Sequence, residues 1–165
     1  MDEMAIGWKR VLDAFELWIQ YEGNEFMPWT GYFNMENLRD LTSKERVAWM
    51  DNMVDEIIPT RVGKCQEAGV ALEDFLPYMP GPDELEIVRS MIELNGRIYE
   101  AILRMSDTIS LMLEVHKSLG FEEIAHYLKM LAESEEDIRH HMSLYSQGFG
   151  KLQSLGLVIP DEMLG

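Results

Sequence analysis

The chain has 165 residues, a single cysteine and a formal net charge of −16, with 47% hydrophobic and 27% charged residues. That balance excludes a disordered chain, an internal disulfide framework and direct binding to a phosphate backbone, and it suits one folded domain, 1–165. No apolar run reaches the length of a membrane span and no secretory signal opens the chain. The expectation is therefore a cytoplasmic protein in a reducing compartment with protein partners, basic ones favoured by the charge.

The first element is an amphipathic helix. Met4, Trp8, Val11, Phe15 and Trp18 recur at alternating spacings of four and three, and the helix is expected to end near Glu22, where Gly23-Asn24 stops it. An aromatic loop, "GNEFMPWTGYFN", follows over 23–34. Phe26, Trp29, Tyr32 and Phe33 would not stay in water, so the loop should pack down. "TSKE" reads as a capping box, with Thr42 as cap and Glu45 reaching back. Val47, Met50, Val54 and Ile57 give the next helix its stripe, and Pro59 breaks or kinks it. "TRVGKCQEAG" adds a short helical piece ending at Gly69, so the N-terminal helices span about 3–69. Prolines then predict an irregular connector over about 70–81.

The second half is a long helical hairpin, about 82–152. Pro82, followed by Asp83, Glu84 and Glu86, is a strong helix start: proline in the first turn, acids at the positive end of the dipole. Its stripe runs Ile87, Met91, Leu94, Ile98, Ile102, Met105, Ile109, Met112, with a second row at Val88, Ile92, Tyr99 and Leu103. Two rows predict two neighbours. Gly120 makes the turn. The last helix keeps a strict heptad: Phe121, Ile124, Leu128, Leu131, Glu135, Ile138, Met142, Tyr145, Phe149, Leu152. The tail "LGLVIPDEMLG" is expected to be irregular. The predicted fold class is all-α: a four-helix-type bundle with a long antiparallel C-terminal helical hairpin.

Candidate chemistry concentrates in "AESEEDIRHH", residues 132–141. At about 100° per residue, Glu133, Asp137 and His140 share a face with His126 and lie opposite the heptad stripe. They are spaced like ligands but point away from the core. Glu135 is the one carboxylate in the stripe. The fold-back about Gly120 sets Arg104 and Met105 opposite it and predicts a Glu135–Arg104 ion pair. His116 falls on the stripe of its own helix, near the turn, and is expected to touch Glu123. Cys65 reads as a small buried hydrophobe.

"LAESEEDIRHHM" resembles a helix of the ferritin-like and rubrerythrin-like proteins, and "EIAH", Glu123 to His126, has the Glu-x-x-His spacing of that family. The resemblance covers about the second half of the chain. It implies iron or another divalent metal between helices, with Glu100, Glu133, Asp137 and His140 as its ligands here. The chain departs from the family pattern in having no histidine before His116, so the first half lacks its own Glu-x-x-His.

Motifs for nucleotide, phosphate-loop, serine-hydrolase and zinc-protease chemistry are absent from the sequence. The leading functional expectation is a non-enzymatic acidic helical-bundle protein with no cofactor, acting through its surface as an adaptor, assembly factor or subunit. A homodimer through leftover apolar surface fits the same reading. The alternative is the ferritin-like metal-binding carboxylate protein.

Overall fold

The computed structural model describes residues 3–157. Among them every regular element is helical. They are α1 (Glu3–Tyr21), α2 (Met35–Arg39), α3 (Ser43–Asn52), α4 (Ile58–Phe75), α5 (Pro82–Leu119) and α6 (Ala125–Ser154). Two π-helical turns, Glu22–Phe26 and Met53–Ile57, and short 3-10 turns fill most of the gaps.

Four walls run up, down, up, down. α1 lies antiparallel to α4, with Arg10 3.4 Å from Asp74 at one end and the Tyr21 hydroxyl donating to the Ile57 carbonyl (2.6 Å) at the other. α4 lies against α5, where Asn95 Nδ2 donates to the Cys65 carbonyl (2.9 Å). The Asn95 side chain lies against Gly69, where a methyl group would overlap it. α5 and α6 form the expected hairpin, turning at Gly120, whose φ of 106° suits glycine. α6 closes the ring on α1 through aromatic packing: Phe15 stacks on Phe149 at 4.7 Å and meets Tyr145 at 5.1 Å.

α5 is 38 residues long, about 57 Å at 1.5 Å per residue. α1, with 19 residues, can flank only half of it. Over the other half the fourth wall is the aromatic segment. It packs down as expected: Phe26 and Phe33 are buried, Trp29 and Tyr32 partly so, and Tyr32 and Phe33 meet Trp49 of α3 edge-on. Gly23-Asn24 does not stop the chain abruptly. A π turn carries it through, because Tyr21 and Phe26 on either side are both buried.

The capping box at Thr42 and Glu45 is present, with both of its hydrogen bonds. Beyond it, α3, the second π turn and α4 form one helical run from Ser43 to Phe75. A π turn holds an extra residue per turn, which shifts the buried line. Trp49, Met50 and Met53 are buried, then Ile58, Arg61, Cys65, Ala68 and Leu72; Val47, Val54 and Ile57 sit at the margin. Pro59 falls inside this run, as the second residue of α4 directly after the π turn, and the widened turn accommodates a residue with no N–H to donate. The expected end at Gly69 and the connector from 70 are corrected: α4 continues to Phe75. Ala71, Leu72 and Phe75 keep its apolar stripe going, and proline enters only at Pro77.

The heptad of α6 faces the core. Ile124, Leu128, Leu131, Ile138, Tyr145 and Leu152 are buried, while Phe121 and Met142 are half-buried at its edges. On α5, Met91, Ile98, Ile102, Met105, Ile109 and Met112 are buried, whereas Leu103, of the second row, is 40% exposed. Among the described residues no helix is long and apolar enough to cross a membrane. Of the expected irregular tail, residues 158–165 lie outside the described residues.

Candidate functional site

At the waist of the bundle, where α1 gives way to the aromatic segment, one arginine is fully enclosed. Arg61 is 0% exposed. The first π turn reaches it through Glu22, and the hydrogen bond from Tyr21, the residue before that turn, to Ile57 ties the start of the first π turn to the end of the second. Burial and the neighbouring Glu22 charge push the Tyr21 hydroxyl up to about 12, so it stays a donor.

Arg61 is saturated by two carboxylates. Its Nε and Nη2 donate to the two oxygens of Glu22, both at 2.7 Å. Its Nη1 and Nη2 donate to the two oxygens of Glu135, at 2.9 and 3.2 Å. The guanidinium carbon stands 3.8 Å from the centre of the Phe26 ring, within cation–π range. Met105 Sδ lies 3.8 Å from Nη1. Burial works against the charge on Arg61, but the hydrogen bonds and charge of Glu22, then of Glu135, outweigh it and raise its affinity for the proton. Arg139 completes the group, donating from Nε to Glu135 at 3.0 Å. Two arginines therefore balance two glutamates, and the buried charge is compensated, as such burial requires.

The expected Glu135–Arg104 pair is not formed. Arg104 is level with Glu135 but exposed, because the inward direction at that level of α5 belongs to Met105. The partner comes instead from a third helix, α4. Its signal in the sequence is an arginine inside a three-four spaced line, Ile58, Arg61, Cys65, Ala68, Leu72. Glu22 had no such signal, since its inward turn depends on the π geometry after Tyr21.

The ligand-like residues lie elsewhere. Glu100, Glu133, Asp137 and His140 are all exposed. Asp137 is engaged locally, its carboxylate 3.5 Å and its carbonyl 2.8 Å from Nδ1 of His141. His140 meets the ring of His141 edge-on. Among the described residues no three histidine, cysteine, aspartate or glutamate side chains gather closely enough to hold a metal ion.

His116 is buried, but its partner is not Glu123. Arg46 Nε donates to His116 Nε2 at 3.1 Å, and the Arg46 guanidinium stacks over Phe121 at 4.3 Å. Burial first, and the positive Arg46 second, hold the imidazole below its ordinary value of 6.5. A neutral ring accepting at Nε2 carries its proton on Nδ1, which has no partner among the described residues. Tyr145 Oη and Trp18 Nε1, whose rings meet edge-on in the upper core, are likewise buried and unpaired. Cys65 is buried, and burial pushes its thiol up to about 12, despite the Arg61 charge nearby. A thiol so disposed is inert as a nucleophile.

Troughs indent the bundle's flank. One, of about 500 Å³, lies between α1 and α4, with Leu17 and Val70 on its walls and Ala14, Gly63 and Ala71 along it. Another, of about 330 Å³, lies between α1 and α6 beside the arginine cluster, and a third of the same volume lies between α5 and α6. No protein-family model matches the chain, and no curated protein or solved structure is significantly similar to it.

Proposed function

We propose that the protein is a non-enzymatic interaction module, an adaptor, assembly factor or subunit, that engages a protein partner through the trough between α1 and α4. The observation that carries this reading is the character of that trough. Leu17 and Val70 are 49% and 52% exposed on facing helices, with small residues between them. Apolar ridges beside a small-residue floor are how one helix receives another. Here the outer position is open. The four-walled core is already complete without it, so these side chains do not serve the fold.

The polar interior supports the same reading. Glu22, Glu135 and the Arg61 guanidinium satisfy one another, which makes them structural groups rather than groups poised for proton transfer. The charge of −16 favours a partner with a basic rim, whose attraction would speed association and weaken with salt. Arg10, Asp13 and Glu67 border the trough and supply a polar edge.

A photo-crosslinking amino acid placed at Val70 tests this. In cells it should trap one protein species, and Leu17→Asp should abolish that adduct while leaving the melting temperature of the purified protein unchanged. The same probe at Ser154 should trap nothing. Adducts that form equally from both positions, or that survive Leu17→Asp, would defeat the proposal.

A further inference from the structure

The trough between α1 and α6 joins apolar walls to a charged donor at the end nearest the arginine cluster. Phe15, Ile19 and Met142 make its apolar walls, and Ser143 and Ser146 line its α6 side. Met27, 43% exposed, stands at the mouth. Arg139 closes the end toward the waist. Its Nε is held by Glu135 at 3.0 Å and its Nη2 lies 2.8 Å from the thioether of Met27, while the side chain is 46% exposed, so its outer N–H groups are within reach of a ligand. A thioether is a weak acceptor for a guanidinium, whose fork geometry matches a carboxylate. The other charged residue on the trough, Glu22, already has both oxygens held by Arg61, so its charge is answered from inside.

We infer that this trough binds a small amphipathic monocarboxylate, its acid group on Arg139 and its chain along Phe15, Ile19 and Met142. The carboxylate would displace Met27 from Arg139 and accept from Nη1 and Nη2. Serine hydroxyls lie within the same trough for the remaining lone pairs. The volume, about 330 Å³, is at the small end of ligand sites and suits a short chain rather than a large ring system. This site shares no lining residue with the trough between α1 and α4, so the two proposals stand or fall separately.

Octanoate is the probe, titrated into the full chain and followed by amide chemical shifts. Saturable shifts should centre on residues 15–27 and 139–146. Arg139→Gln should weaken binding by about tenfold or more, the effect of losing a charge-assisted pair. Ser146→Trp, which fills the trough without touching the arginine cluster, should abolish it, so the test survives if Arg139→Gln fails to fold. Octylammonium should give no saturable shifts in this region. Octanoate shifts that do not saturate, binding that persists in Ser146→Trp, or equal binding of octylammonium would overturn the inference.

Discussion

Glu133 and Glu135 are two residues apart on α6 and chemically identical, yet they live in different solvents. Two residues turn a helix by about 200°, so one carboxylate faces water and the other faces the core. Glu133 is exposed, while Glu135 is 6% exposed and shared between Arg61 and Arg139. The outward face, with Asp137 and His140, carries the spacing that resembles a metal motif. The inward face carries the interaction energy. Spacing along a helix says which side chains share a face. Whether that face meets anything depends on the neighbouring helices.

Removing Arg61 should separate the two faces most sharply. Arg61→Gln leaves Glu22 without its partner and Glu135 with Arg139 alone, and a broken buried pair costs about 3–5 kcal/mol. Urea denaturation should show that loss, and a loss under 1 kcal/mol would mean that water reaches the waist. Glu135→Ala is expected to cost less, about 2–3 kcal/mol, because Arg61 keeps Glu22, whereas Glu133→Ala should stay within about 0.5 kcal/mol.

A smaller effect belongs to His116. Its folded affinity for a proton is depressed, so the unfolded chain takes up the proton first as pH falls through 6.5. Its contribution is fully present above that value and is lost as pH drops toward the lower folded one. The stability difference between the parent and His116→Asn should therefore shrink between pH 7.5 and 5.5, and a constant difference would count against the neutral, Arg46-bonded imidazole. Smallest of all is the outward histidine: His140→Ala should change stability by no more than about 0.5 kcal/mol. A larger loss in metal-containing buffer, reversed by chelator, would revive the ligand reading of that face.

Much of the fold was legible because it rests on the 3.6 period. The stripes of α1, α5 and α6, the start at Pro82, the capping box and the turn at Gly120 all follow from local rules, and Glu135 was placed inward by its heptad position. Its partner was not legible for two reasons. A break at Pro59 and an end at Gly69 divide the line Ile58, Arg61, Cys65, Leu72, which hides the arginine inside it. The π turns also change the period at Glu22 and at Met53, so the buried face drifts away from a fixed 100° per residue beyond them. The hairpin register did predict the level at which Glu135 would find a partner. It could not predict that the partner would arrive from α4, since that depends on which helices are neighbours.

The central claim, that Glu135 is held by Arg61 and not by Arg104, is tested most directly by two double-mutant cycles on folding stability. One pairs Glu135→Gln with Arg61→Gln, the other pairs Glu135→Gln with Arg104→Gln. The buried pair should show a coupling energy of about 1–3 kcal/mol, and the Arg104 cycle should close within about 0.5 kcal/mol. A coupling of that size to Arg104, with additivity at Arg61, would contradict the account.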